Sequence, residues 1–459
     1  MTDNMIFEQT IAHYIHRHGL MRHDGFYLVA LSGGADSVAL LCVLRRLGYH
    51  VEAVHCNFHL RGEESNRDEN FCVSLCAKMG MPLHRVHFDT TTYATLHKMS
   101  IEMAARELRY GYFERLRKDL GADGICVAHH QDDQVETVLL NLVRGTGLAG
   151  LQGMKPRNGN IIRPMLTVSR AEVERYLSDI EQEYVIDSTN LVDCVMRNKL
   201  RLDIIPQLEK LNPAVKKNIF RMTENLGEVN KIVDKVLQNN IDLVRLDDTS
   251  YDLKAIRKLT SPAYVLWEIL NKLGFNRTQM LEILSHESGG GQWEAKDYVA
   301  VVDRERLEVV AKKWWNYKLP VLRIPEVGVY SYATIPRGKA ALDTKSDEMK
   351  FRFSFQTIDA NFHIDRRPEV ATLDADKLSF PLLVRPIGKG DRFVPFGMQG
   401  TKLVGDFLTD NKVSPFARRR QLVVENADKN IVWLVGCRID NRYGIDPNRS
   451  QKALVISLE

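Results

Sequence analysis

Phe26-Tyr27-Leu28-Val29-Ala30-Leu31-Ser32-Gly33-Gly34-Ala35-Asp36-Ser37-Val38-Ala39-Leu40-Leu41 passes from one periodicity to another within a few residues. Residues 26–31 form a continuous apolar run, as a strand buried on both faces requires, and 37–47 are apolar nearly all round, as in a central helix. Between them lie two glycines flanked by Ser32 and Ser37. Glycine lets a backbone approach an anion closely, the serines supply hydroxyls, and the helix start offers free N–H groups and the positive end of its dipole. The segment Ser32-Gly33-Gly34-Ala35-Asp36-Ser37 is therefore expected to hold a phosphate. Helix capping accounts for Asp36 blandly. Beside a polyphosphate, however, its carboxylate would be repelled unless a cation lay between, which makes Asp36 the candidate Mg²⁺ ligand.

Working outward, β-rich runs at 51–55, 83–88 and 124–129 alternate with helical stretches at 68–78 and 101–118. This βαβαβαβ order predicts a doubly wound parallel α/β sheet with its ligand site at the carboxyl ends of the strands. A chain of 459 residues is too long for one ordinary core. The expected division is a catalytic domain over 1–211, a linker helix with a small α+β domain over 212–318, and a basic, β-rich C-terminal region over 319–459. Asn212-Pro213 opens the linker helix, whose apolar residues Val215, Ile219, Met222, Leu226, Val229, Val233 and Val236 keep heptad spacing. That spacing allows a homodimer through a coiled coil, although packing on the helix's own chain is the commoner outcome. Beyond it, helices near 261–272 and 277–286 precede a hairpin around Asp303-Arg304-Glu305-Arg306.

Lys+Arg number 63 and Asp+Glu 59, a net charge of only +4. Between residues 385 and 452, thirteen Lys/Arg face seven Asp/Glu, so this segment carries +6 and the rest sums to −2. A local basic face attracts phosphate whatever the total, and a solvated surface explains it about as well. No apolar run approaches the roughly 18 residues of a membrane span, and the N-terminus lacks a signal-peptide pattern, so no membrane association and a cytoplasmic location are expected. The seven cysteines include no C-x-x-C pair and sit mostly in apolar runs, which suits reduced, buried thiols and argues against zinc.

A second constellation begins at the end of the 124–129 run: His129-His130-Gln131-Asp132-Asp133-Gln134-Val135-Glu136-Thr137. Val135, Val138, Leu139 and Leu142 form the buried stripe, leaving Asp132, Asp133 and Glu136 on another face. A solvated face is the bland explanation. Their place at a strand's carboxyl end, next to two histidines, is where a doubly wound sheet puts its ligand. Zinc ranks low, because adjacent histidines on a strand end point opposite ways. Arg106 and Arg109 on the preceding helix, then Asp187-Ser188-Thr189-Asn190 and Met196-Arg197-Asn198-Lys199-Leu200-Arg201, add groups suited to carboxylates and phosphates. Neither Gly-Lys pair is followed by Ser or Thr, so a Walker A loop is absent. The G-x-G-x-x-G at residues 145–150 follows a helix rather than a strand, which disqualifies it as a dinucleotide fingerprint.

With no P-loop lysine, the Ser32–Ser37 loop resembles the PP-loop of the ATP pyrophosphatases, which split ATP between the α- and β-phosphates. Three further blocks make the resemblance specific: His55-Cys56-Asn57-Phe58-His59-Leu60-Arg61, the carboxylate helix, and Arg197-Asn198-Lys199-Leu200-Arg201. With Gly390-Asp391-Arg392-Phe393 and Gly436-Cys437-Arg438-Ile439-Asp440, they look like the motif series of the tRNA(Ile)-lysidine synthetases. One departure is Thr401-Lys402-Leu403-Val404, where two consecutive lysines are expected.

The resemblance implies an ATP- and Mg²⁺-dependent ligase that adenylates the C2 carbonyl of the wobble cytidine of an isoleucine tRNA with a CAU anticodon. The side-chain amine of free lysine then joins C2. It implies that Ser32, Gly33, Gly34, Ala35, Asp36, Ser37, His55 and His129 face ATP. Asp133 and Glu136 would bind and deprotonate lysine, Arg109 and Arg201 would lie near the base and lysine, and Asp132, Asn190 and Arg197 would contact substrate. The basic C-terminal module, with Arg418, Arg419 and Arg420 as first candidates, would grip tRNA phosphates. A PP-loop tRNA sulfurtransferase is the nearest alternative, disfavoured by the missing cysteine pair. A non-catalytic tRNA- or nucleotide-binding protein is a second, disfavoured by the complete loop and carboxylate set.

Overall fold

The computed structural model describes residues 3–186, 195–287, 290–335, 347–359, 362–446 and 448–459. The chain divides into two compact units, Met1–Asp234 and Lys235–Glu459.

The first unit is built on a six-stranded sheet of β1 (Phe26–Ala30), β2 (His50–Asn57), β3 (Leu83–His87), β4 (Gly124–Cys126), β5 (Arg157–Asn158) and β6 (Ile161–Ile162), in the order β3-β2-β1-β4-β6-β5. Every pairing is parallel except the β5–β6 hairpin. Buried residues alternate across β1: Tyr27 and Val29 enter one core, and Leu28 enters the other with Val54, Phe113 and Ile125. Burying side chains of this size stabilises by about 1.5–3 kcal/mol each, which is why the strand tolerates no polar interruption. Helix α1 (Asp3–Arg17) buries Phe7, Ile11, Tyr14 and Ile15, and α2 (Ala35–Arg46) is buried from Ser37 through Leu44. Helices α3 (Glu63–Met79), α4 (Thr90–Leu96) and α5 (Ile101–Leu120) complete the first half of the winding. Next in the chain come α6 (Gln131–Val143), α7 (Leu148–Leu151) and α8 (Arg170–Asp179), then α9 (Val195–Lys199) and α10 (Ile205–Leu211).

The chain winds outward from β1 to β3 and returns on the other side of β1 as β4, with Tyr27 opposite Gly124 and Val29 opposite Cys126. The winding therefore reverses between β1 and β4. There the loops leaving the two carboxyl ends diverge and open a crevice.

Helix α11 (Val215–Val244) begins where Asn212 Oδ1 accepts the Ala214 N–H. Its buried stripe is not the expected one. Of the residues at heptad spacing, Val215, Ile219, Leu226 and Val233 are half-buried and Met222, Val229 and Val236 exposed, whereas Thr223, Asn230, Leu237 and Val244, seven residues apart, are buried together with Phe220 and Ile241. The neighbouring heptad position faces inward, and its polar Thr223 and Asn230 hid it from a search for apolar residues alone.

In the second unit a four-stranded sheet runs Ser250–Asp252, Arg306–Ala311, Tyr298–Asp303, Gly291–Glu294, accompanied by helices Pro262–Leu270 and Arg277–Ser285. The expected hairpin is present, with Asp303 paired to Arg306 and both Arg304 and Glu305 at positive φ, 49° and 65°. Two left-handed residues in sequence match the strands' twist. Strand Tyr298–Asp303 serves two cores, Val299 and Val301 packing with Trp314, Phe351 and Trp433, and Ala300 and Val302 with Ile241, Leu266 and Ile283. From residue 322 onward β-strands dominate: a five-stranded sheet from Leu322–Ile324 to Arg438–Ile439 and a four-stranded sheet containing Asp347–Thr357 and Lys452–Leu458. Among the described residues no helix is long and apolar enough to cross a membrane.

Candidate active site

The loop between β1 and α2 is held by its own hydroxyls. Ser37 Oγ donates to the Gly34 carbonyl at 2.9 Å and accepts the Ser32 N–H at 3.1 Å, and the Ser32 and Ser37 hydroxyls lie 3.1 Å apart. Gly33 has φ +93°, and a Cβ there would come within 3.4 Å of Cys72 Sγ. Gly34 occupies the N-cap of α2 with no side-chain cap. The first N–H groups of that helix therefore stay open to an anion, and Ala35 lies in the same first turn.

Asp36 projects from this turn. Its Oδ2 accepts Arg170 Nη1 at 2.5 Å, while its buried Oδ1 has no hydrogen-bond partner. Burial pushes the carboxyl above its ordinary range, with His130 and Arg170 working against that shift. A buried carboxylate oxygen left free beside an open phosphate-binding turn fits a Mg²⁺ ligand, because Mg²⁺ commonly takes one or two protein carboxylates and completes its shell with phosphate and water. Among the described residues no group of three His, Cys, Asp or Glu side chains forms a metal cage.

His55, on β2, is buried and its Nδ1 lies 2.8 Å from the Leu31 carbonyl. A carbonyl only accepts, so Nδ1 carries the proton and Nε2 presents a lone pair. Burial lowers this imidazole's pKa and favours the neutral form.

Beyond β4 the two histidines have different side-chain partners. His130 is buried, with Nε2 3.7 Å from Asp36 Oδ1 and 3.5 Å from Asp133 Oδ2, so it links the phosphate loop to the carboxylate helix. His129 meets Arg163, whose Nε lies 3.3 Å from Nδ1, and it too feels the Asp133 carboxylate.

The three carboxylates of α6 occupy three environments. Asp133 Oδ2 accepts the His130 N–H at 3.0 Å, and its side chain is partly open. Asp132 is tied down: Oδ2 accepts the Arg170 N–H at 2.8 Å and Oδ1 lies 3.0 Å from Lys216 Nζ, itself 3.0 Å from Glu209. Burial raises the Asp132 pKa, but these donors outweigh it and hold the carboxyl below its ordinary range. Glu136 is only 2% exposed and is gripped by Arg201, Nε to Oε1 at 2.6 Å and Nη2 to Oε2 at 3.2 Å. Arg201 lies on a π-helical turn, Leu200–Ile204, between α9 and α10. Such a turn widens the helix locally and recurs at functional sites.

Arg109 packs its guanidinium over the Phe58 ring at 5.1 Å, and Phe58 stacks on Phe88. Arg197, half-buried on α9, acts on His129 electrostatically. Asn190 lies outside the described residues.

In the second unit, Arg418 Nε donates to the Val413 carbonyl, Arg419 lies 3.9 Å over the Trp315 ring and donates to its carbonyl, and Arg420 packs on Phe416. These three arginines thus anchor the helix Pro415–Arg419. Lys389, Arg392, Lys412, Lys429 and Arg438 are exposed.

Sequence inspection missed Arg163, Arg170 and Lys216, and it did not single out His130 from its neighbour. Arg170 had a local signal: Ser169 and Glu172 form a capping box that marks the start of α8. Arg163 and Lys216 had none, because what matters is the partner each meets across the fold.

Three segments match known families: a PP-loop domain over residues 4–208, a TilS substrate binding domain over 245–313, and a TilS substrate C-terminal domain over 382–456. The chain is 43% identical over 443 residues to the tRNA(Ile)-lysidine synthase of Bacteroides thetaiotaomicron, spanning 96% of this chain and 97% of that protein. It is 41% identical over 448 residues to the tRNA(Ile)-lysidine synthase of Parabacteroides distasonis, spanning 97% and 98%. To the enzyme of that name from Caldanaerobacter subterraneus subsp. tengcongensis the identity is 30% over 465 residues, spanning 96% and 95%.

Proposed function

The chain belongs to the tRNA(Ile)-lysidine synthase family, and from that premise we propose how its residues divide the work of an ATP-dependent carbon–nitrogen ligase. The observation that carries the division is the junction at His130, which brings Asp36 of the phosphate loop and Asp133 of the carboxylate helix within 4 Å of one imidazole.

On one side of that junction, the open N-terminus of α2 with Ser32, Gly33, Gly34, Ala35 and Ser37 receives the phosphates of ATP, with His55 and His129 as further nucleotide contacts. Asp36 would hold Mg²⁺ through its free Oδ1, and the ion, when bound, neutralises phosphate charge. On the other side, Asp133 and Glu136 take the side-chain ammonium of free lysine. Arg201 orients Glu136, Arg109 and Arg197 line the substrate side, and Asp132 fixes the carboxylate helix to Arg170 and Lys216.

The target is the wobble cytidine of a CAU-anticodon isoleucine tRNA. Its C2 carbonyl is a poor electrophile. The O2 oxygen attacks the α-phosphate, pyrophosphate leaves, and C2 now bears an adenylate leaving group. The neutral lysine amine attacks C2, AMP departs with the former carbonyl oxygen, and the amine's surplus proton passes to a carboxylate. The base must be unstacked to reach this site, as an anticodon loop permits. Exposed cations of the 319–459 region, Lys389, Arg392, Lys412 and Arg419 among them, contact tRNA phosphates, with the half-buried Arg418 and Arg420 beside Arg419. The exposed apolar residues Met222, Val229 and Val236 of α11 are where a homodimer contact would be sought.

The cysteine chemistry favours this assignment over sulfur transfer. Burial pushes the thiols of Cys42, Cys56, Cys72, Cys76 and Cys126 above their ordinary range, where they are poor nucleophiles. The decisive assay incubates the protein with ATP, Mg²⁺, radiolabelled lysine and a CAU-anticodon isoleucine tRNA. Label is expected in the RNA together with one AMP and one pyrophosphate per lysine. RNA that acquires no lysine while ATP is consumed would refute the assignment.

A further inference from the structure

Arg163 follows β6 and is 8% exposed. Its Nε donates to His129 Nδ1 at 3.3 Å and its Nη1 to the Lys155 carbonyl at 2.9 Å, while its backbone N–H donates to the Pro156 carbonyl. Among the described residues no carboxylate pairs with it. Burying a guanidinium without a carboxylate costs several kcal/mol, so its place beside His129 calls for a function.

A guanidinium has five donors and no acceptor. The ring nitrogen it meets must therefore be a lone pair, and a neutral His129 carries its single proton on Nε2. Protonating Nδ1 would break the hydrogen bond and set two cations against each other. Among the described residues Asp133 favours a charged His129; Arg163, His130 and Arg197 oppose it, as does burial, the largest influence, and Arg106 acts on Arg163 as a second cation. The balance brings this imidazole's pKa down to about 4.

We propose that Arg163 is a positioning residue for the nucleotide step, holding His129 as the Nε2–H tautomer so that it presents a hydrogen-bond donor to an oxygen of ATP. His55 is set the opposite way, its proton committed to the Leu31 carbonyl and its lone pair presented. The two histidines thus give the nucleotide one donor and one acceptor, each chosen by a partner behind the ring. This inference rests on the assignment of His129 to ATP.

Nitrogen-15 NMR of the full chain labelled at histidine tests it without reference to turnover. His129 is expected to show an unprotonated Nδ1 and a protonated Nε2 throughout about pH 5–8, the span in which an ordinary imidazole titrates. Arg163→Gln should mix the two tautomers and raise the KM for ATP about tenfold, the worth of one hydrogen bond, with kcat within about threefold. Arg163→Lys, which still donates, should restore the tautomer and most of the KM. A wild-type His129 that carries its proton on Nδ1, or becomes doubly protonated in that span, overturns the proposal. Arg163→Gln with an unchanged tautomer overturns the part given to Arg163. A tautomer as expected, with His129→Ala leaving the KM for ATP unchanged, overturns the nucleotide assignment alone.

Discussion

Replacing Glu136 by glutamine should separate the two half-reactions. The side-chain amine of free lysine has a pKa near 10.4, so at pH 7 only about one molecule in 2,500 is neutral, a cost of about 4.6 kcal/mol. Glu136 is 2% exposed and both its oxygens meet Arg201, at 2.6 and 3.2 Å. A carboxylate offers about four lone-pair positions, so this pair leaves room for an ammonium as well. At an effective dielectric near 20 a carboxylate and an ammonium about 4 Å apart attract by about 4 kcal/mol, enough to recruit the amine; the same carboxylate then stands in place to take the proton as the nitrogen bonds to C2. The glutamine amide keeps the shape and loses both functions. General-base contributions run about 10²–10⁴-fold, and that is the drop expected in single-turnover lysine transfer from preformed tRNA adenylate.

Adenylate formation, followed as pyrophosphate release without lysine, should stay within about threefold. The residual transfer rate of E136Q should climb about tenfold per pH unit above 7, tracking the free-amine fraction, and more steeply than the wild type. If adenylate formation falls as far as transfer, or the two pH profiles run parallel, Glu136 is not the proton acceptor and its ion pair with Arg201 is architectural.

Gly33→Ala should destabilise the fold by about 1–2 kcal/mol, since alanine at φ +93° is strained; thermal unfolding reads this, with a raised KM for ATP and an unchanged KM for lysine. Charge reversal of Lys389, Arg392 and Lys412 together should weaken tRNA binding and lower the slope of log K against log salt by about three, leaving ATP affinity unaltered; a titration at several salt concentrations decides. On acidification, His129 takes up a proton in the unfolded chain near pH 6.5 but in the folded protein only near 4. Its contribution to stability is therefore complete above pH 6.5 and lost as the pH falls towards 4, by up to about 3 kcal/mol before solvent relaxation. His129→Asn should flatten that limb of the stability curve in denaturant titrations.

Much of this site was legible before any fold was known, because the signals are carried by consecutive residues. A strand buried on both faces, two glycines, then a helix without polar interruption announced the phosphate loop; Arg304-Glu305 between two apolar runs announced the hairpin. The carboxylates of α6 could be counted but not told apart: Asp132 meets Lys216 and the Arg170 N–H, Glu136 meets Arg201, and all of these partners lie far along the chain. The α11 stripe was misplaced by one heptad position because two of its buried residues, Thr223 and Asn230, are polar. That Arg418, Arg419 and Arg420 also meet a carbonyl or an aromatic ring of their own unit was not legible, because those partners lie elsewhere in the fold.

What the sequence determined by itself was the order of elements, the chemistry of each loop and the family they belong to, since periodicity and turn residues act over a few neighbouring positions. What only the tertiary structure decided was who faces whom. Pairing β1 with β4 brings Asp36 to His130 across nearly a hundred residues of chain, and laying β6 beside β4 delivers Arg163 to His129. Strand order depends on many distant contacts balanced at once, and no local pattern encodes which nitrogen of an imidazole will find a guanidinium behind it.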